Sequence, residues 1–239
     1  MAKHVYHKVL LLVLTTSLPS HAAEGGIYLG QTRVIFSATD KAQTLTVANS
    51  GERNYLIQAL TLETPDSTAA APFIITPPLF TLQGNQRQLL RILPLNAALP
   101  ADRESLFYLS LSAIPAQREP VSAQDRLSIG LRFVVKLFYR PATLLTPAST
   151  TPCQLVFRTT AQGLQISNPT AYFQTLGKLT INGQPVALEQ QPAMVPPLDS
   201  ITLAMHPSIK KITWRVITDY GGLSHTCQQD GPRIMENAS

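Results

Sequence analysis

The sequence predicts an all-β protein made of two β-sandwich domains that follow a cleaved signal peptide. Apolar and polar residues alternate with a period of two, turn-forming residues recur at intervals of roughly ten positions, and helical periodicity is hard to find. The 239 residues are 44% hydrophobic and 14% charged. This composition excludes collagen-like, coiled-coil and fully disordered chains.

The first 22 residues have the pattern of a secretory signal peptide. Lys3 and Lys8 precede an apolar run over residues 9–14, and small residues lead up to Ala22. A membrane anchor is the weaker alternative, because a spanning helix needs roughly 20 apolar residues and no later segment supplies them. We expect cleavage after Ala22 or Ala23 and a soluble mature protein outside the cytosol, without membrane insertion.

The first domain is predicted over residues 23–141. Its extended segments are 44–49, 55–63, 73–76, 79–82, 87–93, 105–114 and 127–139. The Pro77-Pro78 pair between two short segments predicts a switch between sheets or a sharp corner, with a cis bond as one form of it. We expect the last two segments to pair as a long hairpin that ends the domain.

A Pro/Thr/Ser-rich passage over residues 142–151 predicts a linker. The second domain then covers residues 152–239, with extended segments at 155–159, 164–167, 173–181, 201–205, 212–218 and 223–227. Trp214, the only tryptophan, lies in one of these segments, so we expect it in the core. Two sandwiches fit the series better than one barrel.

Cys153 and Cys227 are the only cysteines, and both lie in the second domain. In a chain bound for an oxidising compartment an even count predicts a disulfide, and buried free thiols are the alternative. Closing a loop of 74 residues would stabilise the fold by about 4 kcal/mol in the chain-entropy model. We expect the bridge to tie the first strand of the domain to its last.

Charge and motifs give little support for an enzyme or a nucleic-acid binder. Loss of segment 1–22 removes two of 19 basic residues and none of the 14 acidic ones, so the formal charge of +5 becomes +3. The remaining basic residues are scattered, unlike a polyanion-binding surface. Only His206 and His225 remain in the mature chain, and neither lies in a nucleophile, triad or metal motif. We therefore expect no catalytic residue, metal or cofactor.

An apolar row lies in the segment 127–139. Leu127, Ile129, Leu131 and Phe133 occupy alternate positions and so share one face of an extended strand. On composition alone, this row would face the core of its own domain.

Several motifs strongly resemble the signature of periplasmic pilus chaperones of the chaperone–usher pathway. They span essentially the whole mature chain in the family's order, and are residues 32–36, 76–78, 102–108, 136–141, 168–170 and 219–222. The most specific are Lys-Leu-Phe-Tyr-Arg-Pro at 136–141 and Asp-Arg-Glu-Ser at 102–105. The short connection over residues 116–126 and the short arm before Arg33 are similar to the short-loop subfamily.

The resemblance implies two immunoglobulin-like domains in a boomerang arrangement, and pilin or fimbrial subunits and an outer-membrane usher as partners. It implies a donor strand that fills a groove in a subunit lacking its own last strand. The donor side chains would be Leu127, Ile129 and Leu131, followed by Phe133. It leaves open whether the free protein hides this row by self-association. A secreted immunoglobulin-like module that binds carbohydrate or a surface partner is the alternative.

The resemblance also implies roles for charged residues. Arg33 and Lys136 match the pair that holds the subunit's terminal carboxylate. If Lys136 and the odd-numbered apolar row both face the client, a bulge or twist is needed between Phe133 and Lys136. Three further residues match a charge network that sets the angle between the domains: Glu104, Arg140 and Asp219.

Overall fold

The computed structural model describes residues 25–116, 129–206 and 208–231. The expected signal peptide, most of the connection 116–126 and Leu127 lie outside these residues. Among the described residues, no helix has the length and apolar character that crossing a membrane requires. Two β-sandwiches follow each other along the chain, each with its own hydrophobic core, as the alternation predicts.

The first sandwich consists of nine strands in two sheets. They are β1 (Ile27–Leu29), β2 (Arg33–Ser37), β3 (Gln43–Asn49), β4 (Tyr55–Leu62), β5 (Phe73–Thr76), β6 (Leu79–Leu82), β7 (Arg87–Pro94), β8 (Ser105–Pro115) and β9 (Leu131–Arg140). One sheet has the order β1-β3-β7-β5 and the other β2-β9-β8-β4-β6. The cis Thr76–Pro77 bond lies between β5 and β6, which belong to different sheets, so the predicted sheet switch is confirmed.

Strand β9 lies between β8 and β2. It pairs with β8 in antiparallel fashion from Ser105↔Tyr139 to Ala113↔Leu131, which confirms the predicted hairpin. On its other side, β2 pairs with it in parallel, beginning at Arg33↔Lys136. Among the described residues no strand pairs with this second edge of β9 before Lys136, so the first half of that edge is open.

The second sandwich has eight strands: β10 (Val156–Thr160), β11 (Gly163–Asn168), β12 (Gln174–Ile181), β13 (Gln184–Pro185), β14 (Met194–Val195), β15 (Asp199–Leu203), β16 (Lys211–Val216) and β17 (Cys227–Asp230). Their sheet orders are β10-β11-β15 and β13-β12-β16-β17, with β14 also on β12. Single 3-10 turns lie at Ala148–Thr150, Pro152–Gln154 and Leu188–Gln190. Trp214 is buried and its ring packs 4.7 Å from that of Phe157, which confirms its predicted place in the core.

The predicted last strand, 223–227, is wrong. Leu223 makes only an isolated bridge with Ile217, because residues 218–222 form a tight turn, and the strand begins at Cys227. The disulfide between Cys153 and Cys227 is confirmed, with the two Cα atoms 5.1 Å apart. Cys153 lies in a 3-10 turn ahead of β10 rather than in the first strand, so the bridge joins that turn to β17.

Candidate interdomain binding cleft

A cleft of about 310 Å³ separates the two sandwiches. Arg33, Ile35 and Phe138 line it from the first domain, and Phe173 and Ile217 are among its residues from the second. The rings of Phe138 and Phe173 lie 5.6 Å apart. The cleft therefore combines an apolar lining with a cation from β2.

Arg33 and Lys136 lie side by side on neighbouring strands at the edge of the cleft, and of the two only Arg33 is among its lining residues. Their Cα atoms are direct partners in the parallel pairing of β2 with β9, and both side chains are half-buried. Arg33 donates from one terminal nitrogen to the carbonyl oxygen of Ile217 at 3.3 Å, while its buried Nε has no partner. Within the described part of the chain neither cation forms an ion pair.

Both cations are held in an environment that disfavours their charge. Burial lowers the pKa of Arg33, although the carboxylates of Asp219 and Glu104 oppose the shift. Burial also lowers the pKa of Lys136, and the positive charge of Arg33 lowers it further. An anion bound between the two would relieve this repulsion and supply the missing acceptor, so the pair is suited to a carboxylate.

Arg140 bonds to both domains. It donates from Nε to Glu104 Oε1 at 2.9 Å, and its two terminal nitrogens donate to the oxygens of Asp219 at 2.9 and 3.0 Å. Glu104 also accepts from the backbone N–H of Phe173 at 2.9 Å. The three residues matched to an interdomain network thus lie in contact, and they link the end of β9 to the second domain.

The pKa values of this network follow from its burial. Burial raises the pKa of Glu104, opposed by Arg140 and by the Phe173 N–H. Burial alone would lower the pKa of Arg140, but the bonds and charges of Asp219 and Glu104 outweigh it and raise the pKa above its ordinary value. Because two carboxylates already neutralise Arg140, it is not the cation that a new anion would find unpaired.

The apolar row emerges from the core of the first domain. Leu137 and Val135 are buried, and Phe133 packs against the same core. The next alternate position, Leu131, is 43% exposed. Ile129 is 64% exposed and lies before β9, which begins at Leu131 and not at 127 as predicted. The alternate side chains on this face of β9 are therefore buried in the domain's core near the end of the strand and exposed to solvent at its start.

No bulge lies between Phe133 and Lys136. The pairing of β8 with β9 keeps one register from Leu131 to Tyr139, so Lys136 points to the sheet face opposite the apolar row. The row and the cation pair share a strand but not a face.

Two residues that line the cleft, His225 and Tyr220, were not predicted from the sequence to lie there. His225 places Nε2 3.1 Å from Cys153 Sγ, close to Cys227, and together these could resemble a metal site. Both sulfurs are committed to the disulfide, so they offer no thiolate ligand. Tyr220, in the motif at 219–222, lines the cleft. It belongs to no alternating apolar segment, so the sequence pattern did not indicate it.

Fold and cleft together define a class: two immunoglobulin-like sandwiches joined through an ion network, with an open strand edge that ends beside two cations without an ion partner in the described residues. The profile described as "Pili and flagellar-assembly chaperone, PapD N-terminal domain" matches residues 26–145. The profile "Pili assembly chaperone PapD, C-terminal domain" matches residues 150–228. The chain belongs to this family of pilus-assembly chaperones, which are not enzymes.

Individual relatives agree. The chain is 38% identical to the chaperone protein FimC of Escherichia coli K12 over 217 residues, 90% of this chain and 88% of the relative. It is 34% identical to the chaperone protein LpfB of Salmonella typhimurium, over 82% of this chain and 85% of the relative.

Solved structures show the same architecture. A chain of the Salmonella enterica SafA pilin complex with the SafB chaperone superposes with a TM-score of 0.78 at 33% identity, covering 87% of this chain and 98% of that one. The Escherichia coli chaperone DraB gives 0.74 at 31% identity, covering 86% and 97%.

Proposed function

We propose that the protein is a periplasmic chaperone that binds pilus subunits by adding its strand β9 to them, anchors their terminal carboxylate, and delivers them to an outer-membrane usher. The observation that carries this proposal is the open half-edge of β9, which ends at the pair of Arg33 and Lys136. That a related chaperone is solved in complex with a pilin supports the choice of partner.

The position of β2 limits where a strand can be added. Since β2 occupies the edge of β9 from Lys136 onward, an added strand pairs with residues before Lys136 and must stop where β2 begins, at Arg33. A strand running parallel to β9 brings its carboxyl end to the two cations. An antiparallel strand would bring its N-terminal end there, and a terminal amine would be repelled. Charge therefore selects the parallel direction.

Apolar burial alone leaves the complex marginal. Covering three or four side chains of the row contributes roughly 1.5–3 kcal/mol each, against an association cost of about 4–15 kcal/mol. Backbone pairing and the carboxylate contact must supply the rest. The register then matters, because a slip of one residue turns a subunit's apolar positions away from Ile129 and Leu131.

The ion network gives the cleft its geometry. Arg140 bonds to Glu104 in the first domain and Asp219 in the second, so it fixes the distance between the two walls. We assign these three residues a structural role, in setting the angle between the domains.

Co-purification from the periplasm tests the proposal. The chain is expressed with candidate subunits encoded beside its own gene, next to Arg33→Ala and Lys136→Ala variants. Arg91→Ala is a matched control, since Arg91 is an exposed basic residue on strand β7 of the same domain. We expect a 1:1 complex with wild type and the control and none with either cleft variant, while circular dichroism shows all four folded.

Two results would overturn the proposal. A wild-type chain that captures no subunit, or cleft variants that capture as well as the control, would mean that the chain shares only the fold. The secreted binding module would then be the better interpretation.

A further inference from the structure

Tyr220 lies at the tip of a tight turn in the second domain, and its side chain is 100% exposed. The turn is closed by two backbone bonds: Gly221 N–H donates to the carbonyl of Thr218 at 2.9 Å, and Thr218 N–H donates to that of Gly222 at 2.8 Å. Gly221 has a φ of +83°, which a residue with a side chain would adopt only under strain. The backbone that carries the ring is therefore well defined.

Three contacts hold this turn against the first domain. Asp219 accepts both bonds from Arg140, and Ile217 accepts the bond from Arg33. A Cβ atom on Gly221 would lie only 2.6 Å from Thr32 Oγ1, so the turn passes directly beside the residue that precedes Arg33. The position of Tyr220 relative to the cation pair is thus set by its neighbours in the chain.

Tyr220 lies where two recesses meet. It lines the cleft of about 310 Å³ and also an adjoining groove of about 500 Å³. Arg33 and Ile35 line both recesses as well. A bound chain whose carboxylate reaches Arg33 would therefore end at recesses that this ring also lines.

A fully exposed aromatic ring contributes almost nothing to its own fold. Rigidly carried Tyr residues are the usual anchors of protein interfaces, because they supply a large contact area and lose few rotamers on binding. The lining nearby includes the apolar residues Ile35, Phe138 and Ile217 beside the charged Arg33 and Asp219. Since Asp219 is already bonded to Arg140 and Arg33 is assigned to the carboxylate, an apolar or aromatic side chain can pack on the ring and on these apolar neighbours.

We propose that Tyr220 is the second domain's contact with the bound subunit: its ring packs on an apolar or aromatic side chain among the subunit's last residues, next to the carboxylate held by Arg33 and Lys136. This inference rests on the proposed function. It makes Tyr220 a specificity-determining residue, which distinguishes subunits by the side chain at their C-terminus, whereas the cations recognise only the carboxylate.

Dissociation rates of the co-purified complex test this role. A fluorescently labelled chaperone is exchanged against an excess of unlabelled wild type, for Tyr220→Ala, Tyr220→Phe and the control Tyr28→Ala, a partly exposed tyrosine on β1. We expect Tyr220→Ala to release the subunit about tenfold faster, as loss of an interface anchor does, and Tyr220→Phe and Tyr28→Ala to behave as wild type. Changing the subunit's last apolar side chain to Ala should speed release from wild type and make little further difference in Tyr220→Ala.

The possible results distinguish failure of the role proposed for Tyr220 from failure of the proposed chaperone function. If Arg33→Ala abolishes capture while Tyr220→Ala releases the subunit at the wild-type rate, only the inference is overturned. If Tyr220→Phe releases as fast as Tyr220→Ala, the phenol hydroxyl rather than the ring is responsible, and the proposed packing is wrong. If wild type captures no subunit, the proposed function fails and the inference fails with it.

Discussion

Replacing Arg140 by Met should destabilise the free protein strongly, because it leaves a buried carboxylate without its ion partner. The side chain of Glu104 is only 3% exposed. After Arg140→Met it would keep the Phe173 N–H as a donor and lose the guanidinium at 2.9 Å. Breaking one partner out of a buried ion pair costs about 3–5 kcal/mol. Asp219 adds less, since it is more exposed and can be hydrated.

The double variant separates loss of the pair from loss of packing. Glu104→Gln removes the negative charge, so Arg140→Met should lower the free energy of unfolding much less in that background. In the double-mutant cycle of the two residues, the coupling energy should be a large part of the effect of Arg140→Met alone. Urea unfolding is followed by tryptophan fluorescence, which reports the second domain through Trp214, and by far-UV circular dichroism, which reports both. Two probes are needed because a two-domain chain need not unfold in one step.

The stability of Arg140→Met should also depend on pH, through the ionisation of Glu104. The pKa of Glu104 is already raised by burial, and we expect it to rise further once Arg140 is gone. A carboxyl with a raised folded pKa contributes stability that is complete below its unfolded pKa and is lost as the pH rises through the folded one. The loss in free energy of unfolding of Arg140→Met relative to wild type should therefore become smaller from pH 7.5 towards pH 5. A loss below about 1 kcal/mol at pH 7.5 would show that Arg140 does not stabilise the buried charge of Glu104. So would a loss of the same size in the Glu104→Gln background.

Three further predictions concern the free protein. Lys136→Met should raise its stability by about 0.2–1 kcal/mol, by removing a like charge opposite another on the neighbouring strand, and yet abolish subunit capture; an unchanged or lower melting temperature would contradict this. Leu131→Ser should stay within about 0.5 kcal/mol of wild type while weakening capture, whereas Leu137→Ala in the core should cost about 2–5 kcal/mol by urea unfolding. Reducing the Cys153–Cys227 bridge should destabilise the second domain by about 4 kcal/mol, and an unchanged tryptophan unfolding curve in reductant would argue against it.

Local alternation was enough for the longer strands and not for the short ones. Strands β5 and β6 have the predicted bounds because a Pro-Pro pair limits both. Strands β1, β13 and β14 have two or three residues, too few to show a period. The last strand was misplaced because Leu223, an apolar residue after a turn, pairs in a single bridge rather than in a ladder.

The sequence allowed the residues of the candidate site to be named, but not their relative positions. The family resemblance selected Arg33 and Lys136, but their alignment arises from a parallel pairing between distant segments, which no local pattern contains. The sequence showed that Lys136 is out of phase with the apolar row, and a bulge was one way to resolve this. The uninterrupted ladder between β8 and β9 shows instead that Lys136 and the apolar row lie on opposite faces of one sheet.

The pairing of β9 with β8 from Leu131 to Tyr139 bears on how often one molecule of the protein can act. Under the proposed function, the part of the donor strand from Leu131 onward is already ordered by β8 and loses little further conformational entropy on binding, so each subunit would meet the same ordered strand. Departure of a subunit would then uncover the edge and the apolar side chains without unfolding the strand that carries them. Such a strand is reusable, and a few copies of the chaperone could serve a long succession of subunits.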